Sequence, residues 1–399
     1  MSEVATREPQ LRFPEFSDSL IKGALGDYAL IKRGAGSQYI EYSKDSKDSI
    51  RLIRIGDFLG GDAVFVRLTN AIQRFLLDEG DILIAGTGAT AGITFLVPTK
   101  FVGMAYSYNA PKIKVHKDNV SFFYQYLISP KIKIQQIRLF TGNAQPFLDT
   151  NAIKGFSIFK PPLQEQQKIA AFLAAVDSKI EQLSKKQELL GEYKKGLMQQ
   201  IFSQVIRFKA GDTPGQPLLP NGNSPSGSDF PNWEEKRLGD LCEITTGKLD
   251  ANAMVEGGQY RFYTCAKEYY KIDDYAFDTD ALIVSGNGAN VGYIHHYQGK
   301  FNAYQRTYVL DSFTDNIIFV KFVLDEYLHK RIMKEKNEGN TPYIVMGTLT
   351  DMKINLPSFS EQTKIAIFLS SIDSKIEQVG KQLDESKQFK KALLQQMFV

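Results

Sequence analysis

One long stretch of this chain occurs twice. Residues 163–203, LQEQQKIAAFLAAVDSKIEQLSKKQELLGEYKKGLMQQIFS, align without a gap against residues 359–399, FSEQTKIAIFLSSIDSKIEQVGKQLDESKQFKKALLQQMFV. A repeat at such a long offset excludes a solenoid and means that a whole module has been duplicated. Both copies read as helix. In the first, Ile169, Leu173, Val176, Ile180, Leu183 and Leu190 are spaced 4-3-4-3, interrupted at Gln187, and Leu197 and Ile201 continue the face. In the second, Ile365, Leu369, Ile372, Ile376, Val379 and Leu383 do the same, followed by Leu393 and Met397. A period of 3.5 with Lys, Glu and Gln elsewhere is the pattern of a coiled-coil seam. Each stripe alone fits a helix packed in some core, but two matched stripes in one chain make each the natural partner of the other. Pro161-Pro162 marks the start of the first helix, and Ser358 with Glu361 offers a capping box to the second. At 1.5 Å per residue such a helix is a rod of about 60 Å.

The rest of the chain repeats more loosely. A polar leader ending in RFPEFSDSL precedes a globular unit, giving a first domain at 1–160. The helix region 161–206 follows, then residues 207–232, dense in Gly, Pro, Ser and Asn, which read as a flexible linker. A second globular unit spans 233–357 and the second helix region 358–399. LGDY at Leu25 is answered by LGDL at Leu238, and ILIAGTGATAG (82–92) by LIVSGNGANVG (282–292). The helical patch FFYQYLISPKIKIQQIRLF returns as FVKFVLDEYLHKRIMKEK, and TGNAQPF (141–147) as EGNTPY (338–343). The frames are kept while the contents vary, unlike the helices.

No apolar run approaches the length of about 18 residues that spans a bilayer, and MSEVATREPQ lacks the pattern of a secretion signal. With Cys242 and Cys265 the only cysteines, a reducing cytoplasm is expected. The net charge of +3 hides an asymmetry. Residues 1–160 hold 20 Lys/Arg and 15 Asp/Glu, hence +5; residues 229–357 hold 14 and 19, hence −5. A protein gripping a polyanion unaided shows a clear basic surplus, so a nucleic-acid binder of this composition needs a partner to neutralise phosphate.

The residues of an enzyme are not evident. GTGATAG and GNGANVG look like phosphate loops, yet each runs into further β-type sequence and not a helix, so a tight strand-to-strand turn is expected and a cofactor site is not. His295 and His296 are adjacent, hence on opposite faces of a strand, and do not chelate one metal. KPPL at Lys160 lacks the amide and aromatic of an adenine-methyltransferase tetrapeptide.

A binding reading finds more. Thr87, Thr90, Asn287 and Asn290 put small polar side chains on the glycine turns, where a partner could approach the backbone. Asn143 and Gln145 lie in one polar loop, and Asn340 and Tyr343 in its counterpart. Tyr106 and Asn109 in YSYN, and Gln305 and Arg306 in AYQRTY, mix aromatics with amides and a guanidinium. Asn and Gln read adenine and Arg reads guanine. Singly, each of these residues also fits an exposed turn. Gln305 and Arg306 are the first pair expected at DNA.

The motifs PPLQEQQKIAAFLAAVDSKIE and LPSFSEQTKIAIFLSSIDSKIE, each closing a variable domain, together with the leaders RFPEF and DFPNW before LGD, resemble the specificity subunit of type I restriction–modification systems. The resemblance covers nearly the whole chain. It implies an α+β fold of two mixed α/β target-recognition domains separated by two long helices, which pair as an antiparallel coiled coil with pseudo-twofold symmetry. It implies a non-catalytic subunit that reads double-stranded DNA as two half-sites separated by a fixed spacer, a rod length setting that spacer. It implies no cofactor on this chain, S-adenosylmethionine being held by the partner. The partners it implies are two methyltransferase subunits and two restriction (motor–nuclease) subunits, with no membrane. The outward charges Lys179, Glu181, Lys375 and Glu377 match across the repeats and are candidate docking positions, or simply a solvated face. Two other readings stand beside it: a coiled-coil scaffold pairing two protein-binding domains, and an enzyme with unrecognised active-site residues.

Overall fold

The computed structural model describes residues 8–43, 48–140, 145–209, 211, 230–335 and 342–399. Two compact units emerge: Met1–Ser184 with Lys381–Val399, and Lys185–Gly380. Each long helix, Leu163–Phe202 and Phe359–Gln396, therefore begins in one unit and ends in the other. The architecture is α+β, as the sequence implies.

In the first unit Ala29–Lys32, Lys112–Val115, Ile82–Ile84 and Thr94–Leu96 form a four-stranded antiparallel sheet in that order. Ala29 and Ile31 point inward while Leu30 and Lys32 point out, the period-2 signature of a strand with one wet face. Ile82–Ile84, internal to the sheet, is buried throughout. A second sheet orders Phe65–Arg67, Ser49–Ile53 and Ala105–Tyr106. The expected helical patch is two helices, Val120–Leu127 and Pro130–Phe140. Pro130, which has no backbone N–H to continue the first helix, opens the second.

The second unit carries a six-stranded sheet. Its order is Glu243–Thr246, Thr307–Asp311, Phe277–Ser285, Ile294–Ala303, Tyr260–Tyr263 and Tyr270–Ile272, with one parallel pair. Here the patch is a single helix, Ile317–Glu335. In both units the glycine segments join antiparallel neighbours, Ile82–Ile84 to Thr94–Leu96 and Phe277–Ser285 to Ile294–Ala303. They are strand-to-strand turns.

The antiparallel sense of the helices is visible inside each unit. In the first, Ile169, Ala170 and Leu173 from the head of one helix share a core with Leu393, Leu394, Met397 and Phe398 from the tail of the other. Lys390 meets Asp177 at 2.5 Å beside it. In the second, the tail residues Leu197, Met198, Ile201 and Phe202 pack with Ile365, Ala366, Phe368, Leu369 and Ile372. There Lys194 meets Asp373 at 2.6 Å. The break in the seam has a counterpart: a Cβ at Gly380 would press on the Gln187 amide. Gly196, inside the first long helix, has open space where its Cβ would be, and Ala392 stands at the matching position of the second. Gly196→Ala is expected to stabilise the second unit by about 0.5–1 kcal/mol, read as a higher urea midpoint. An unchanged or lower midpoint would count against this placement.

The Glu-Gln dipeptide at each helix head ties helix to domain. Gln166 and Gln362 are buried. Each accepts from the backbone N–H of an N-cap asparagine, Asn119 or Asn316, at 3.0 Å. Each donates to the preceding aspartate, Asp118 (2.9 Å) or Asp315 (2.8 Å), and to a proline carbonyl, Pro161 or Pro357 (2.9 Å). Those asparagines cap the patch helices through Phe122 N–H and Phe319 N–H. Glu165 and Glu361, fully or almost fully buried, each take an arginine in a two-pronged pair. Arg12 binds Glu165 at 2.7 and 2.7 Å, and Arg207 binds Glu361 at 3.1 and 2.7 Å.

This pairing alters two expectations. The capping box at Ser358 is half formed: its hydroxyl accepts from Glu361 N–H at 3.4 Å, but the Glu361 carboxylate holds Arg207. The leader RFPEF also corresponds to two separate segments. Arg12 and Phe13 are matched by Arg207 and Phe208, at the start of the expected linker. Asp18 O, which accepts from Arg12, is matched by Pro231 O, which accepts from Arg207. Phe13 meets Phe172 edge-on at 5.8 Å, and Phe208 meets Phe368 at 5.6 Å. Phe208 is 2% exposed, so the linker's first residues are anchored. Most of the expected linker lies outside the described residues.

Candidate nucleic-acid interface

Each unit presents its glycine turn against the same neighbours. In the first, Gly86 N–H donates to Asn109 O (2.9 Å) and Leu148 N–H to Gly86 O (2.8 Å), while Thr87 bridges Phe147. In the second, Gly286 N–H donates to Arg306 O (2.9 Å) and Ile344 N–H to Gly286 O (2.8 Å), while Asn287 bridges Tyr343. Gly88 and Gly288 hold the turn at φ of 76° and 77°, a left-handed conformation that glycine adopts without strain. Thus Thr87 matches Asn287, Asn109 matches Arg306 and Phe147 matches Tyr343. Backbone positions are conserved between repeats and side chains are not.

Thr87, Thr90 and Asn109 line one cleft of about 670 Å³ in the first unit, together with Gln38, Tyr42, Arg54 and Tyr108. Arg54 donates to Asp62 O at 2.6 Å. Gln145 is exposed, its amide nitrogen 3.9 Å from where a Cβ on Gly88 would lie. In the second unit Tyr343 is 58% exposed and Arg306 is exposed, with no carboxylate at ion-pair distance among the described residues. Gln305 is exposed and donates to Asp250 Oδ1 at 3.0 Å. Asn143 and Asn340 lie outside the described residues.

One expected position is corrected. Tyr106 is 1% exposed, packed with Ile53, Leu83 and Phe101, and its hydroxyl donates to Arg33 O. Burial, with the Asp81 carboxylate nearby, raises its phenol well above the usual range. A ring in that position stiffens the sheet and does not meet a base. Asn290 is half-buried and donates one amide N–H to Cys265 O at 3.1 Å, bracing the turn against the neighbouring loop, with its second N–H and its Oδ1 still available. His295 and His296 diverge as expected, one to Ala266 O at 3.1 Å and the other to Asp280 at 2.8 Å. Lys179, Glu181, Lys375 and Glu377 are all exposed on the long helices.

The sequence reading passed over Arg33. Its guanidinium lies 4.4 Å from the Tyr108 ring and 5.3 Å from the Phe147 ring, both exposed, at the rim of the first unit's turn. A signal was present: Gly34 follows LGD at the same distance as Gly247 follows the second LGD. Both glycines lie flat on the opposite strand, where a Cβ would collide with the carbonyls of Tyr106 and Ser107, or of Ala303 and Tyr304. Arg33 thus sits at the position that Thr246 occupies in the second unit.

Comparison with known proteins places this arrangement. Residues 24–190 and 231–386 match the family described as "Type I restriction modification DNA specificity domain". The chain belongs to that family. It is similar to the Escherichia coli type I restriction enzyme EcoDI specificity subunit, 41% identical over 167 residues, which is 41% of this chain and 37% of that protein. It is also similar to the Methanocaldococcus jannaschii type I restriction enzyme MjaVIII specificity subunit, 25% identical over 360 residues, 83% of this chain and 80% of that one. The chain thus covers just over a third of the E. coli relative's length and four fifths of the archaeal one's. Its fold matches the crystal structure of a type I restriction–modification S subunit from M. genitalium. That match has a TM-score of 0.64 at 17% identity, covering 98% of this chain and 99% of that one. A structure from work on complex assembly of the type I system matches with a TM-score of 0.52 at 18% identity, covering 94% and 96%.

Proposed function

We propose that this chain is the DNA sequence-recognition subunit of a type I restriction–modification complex. Each unit reads one half-site of a bipartite target at its glycine-turn edge. The observation that carries this is the matched pair of edges, one backbone frame holding different polar and aromatic side chains. That is what two readers of different sequences require: phosphate-facing and base-facing positions on a common scaffold, with specificity in the side chains. Thr87, Thr90, Asn109 and Gln145 serve the first half-site. Asn287, Asn290, Gln305, Arg306 and Tyr343 serve the second.

The chain is a non-catalytic member of the complex. Adenine methylation, with S-adenosylmethionine, belongs to two methyltransferase subunits, and cleavage to two restriction subunits. The exposed helix positions Lys179, Glu181, Lys375 and Glu377 are the proposed methyltransferase docking points. No described helix is long and apolar enough to cross a membrane.

The test is to co-express the chain with its neighbouring methyltransferase subunit in a methylation-free host and map N6-methyladenine. The expected result is a bipartite motif that vanishes when the chain is omitted. Arg306→Ala should relax one half-site and leave the other intact. A scaffold with protein-binding domains would be indifferent to Arg306, and a stable complex without any motif would support that reading instead.

A further inference from the structure

We propose that Arg33 forms, with Tyr108 and Phe147, a built site for the edge of a guanine in the first half-site. This rests on the reading of the first unit as a DNA reader. Among the described arginines of the first unit, Arg12, Arg51, Arg54 and Arg67 each lie at ion-pair distance from a carboxylate, while Arg33, Arg74 and Arg138 do not. Arg33 has no carboxylate at that distance among the described residues. Its guanidinium instead lies over two aromatic rings, 4.4 and 5.3 Å from their centroids.

The platform is fixed from below. Ala35 N–H donates to Tyr106 O at 2.8 Å, Tyr108 N–H donates to Ala35 O at 2.9 Å, and Ser107 N–H to Ile53 O at 3.0 Å. The Tyr106 hydroxyl donates to Arg33 O at 3.4 Å, and Gly34 leaves no gap against the strand beneath. The buried Tyr106 thus anchors Arg33 from beneath. Phe147 is tied to the turn through its bridge to Thr87.

A guanidinium held over aromatic rings has lost much of its side-chain freedom before any ligand arrives, while its fork of N–H groups, which make no hydrogen bond among the described residues, remains open. That fork matches O6 and N7 of guanine, two acceptors in one plane. A phosphate would also accept from it, but a fork held in place by two rings before binding favours a base edge, whose two acceptors are fixed relative to each other. In the second unit Thr246 stands at the Arg33 position, and the guanidinium comes from Arg306 at the Asn109 position. The two half-sites are therefore expected to carry guanine at different places relative to the turn.

The experiment maps N6-methyladenine in cells carrying the full complex with wild-type chain, Arg33→Ala, Arg33→Lys or Tyr108→Ala. Arg33→Ala is expected to make one guanine of one half-site degenerate, with a loss of discrimination of about 5- to 150-fold at that position, the equivalent of a bidentate pair. Arg33→Lys, which keeps the charge and loses the fork, should relax the same position. Tyr108→Ala should slow methylation without changing the preferred base. A motif unchanged by Arg33→Ala, or a uniform weakening at all sites with a shallower salt dependence, overturns the proposal and leaves the functional reading standing. No motif with the wild-type chain overturns both. Because Arg33 is only partly buried, its variants should keep the wild-type unfolding midpoint; a large fall would assign it to structure and overturn the proposal.

Discussion

Glu361→Ala is expected to destabilise the second unit by about 3 kcal/mol, the lower end of what breaking a buried ion pair costs. The lower end applies because the Arg207 side chain is 25% exposed and can turn to water once its partner is gone. The measurement is unusually clean. The chain has one tryptophan, Trp233, whose Nε1–H donates to Glu361 at 3.3 Å. Its fluorescence therefore reports the second unit. Glu361→Ala should lower the urea midpoint seen by Trp233 and alter its emission in the folded state. The matching change Glu165→Ala should lower the first unit's stability by a similar amount, read by tyrosine-weighted signals, with a far smaller effect on Trp233. Equal effects of both variants on Trp233 fluorescence would sink the claim that each pair locks its own unit.

Gly247→Ala should cost about 1–3 kcal/mol or more, the usual penalty of overpacking. The added methyl meets the carbonyls of Ala303 and Tyr304, and these are backbone atoms that no rotamer change can remove. Relief must come from shifting the segment that carries Gln305 and Arg306. Half of the methylation motif should then degrade while the other half stays sharp. Gly34→Ala should do the reverse. Intact motifs with wild-type midpoints would show that this strand contact is looser than described.

Much of the frame could be read from residues alone because its cause is local. The 3.5-residue stripe, the glycine turns followed by β-type sequence and the diverging His295–His296 pair all depend on neighbours in the chain. What escaped the reading depends on partners far away. Glu165 and Gln166 stand in the repeated motif, yet their roles need Arg12, Asp118 and Asn119, the first 153 residues distant. Tyr106 and Tyr108 look alike in YSYN and would share a face on a regular strand. The strand ends at Tyr106, the chain turns, and one ring goes inward while the other stays out. Arg33 looked like any surface cation beside Lys32 until the rings of Tyr108 and Phe147 came to meet it.

The division of the long helices carries a lesson about the gene as well as the protein. Leu393, Leu394, Met397 and Phe398 complete the first unit's core, and Leu197, Met198, Ile201 and Phe202 complete the second's. Each repeat thus finishes the other's interior with its own tail. A chain made of a single repeat would leave its core open and its tail without a seat. Two such chains would cure both faults by trading tails, and on the proposed reading both would then recognise the same half-site. With both copies in one polypeptide the traded tails stay fixed, and the two glycine-turn edges are free to differ in their side chains.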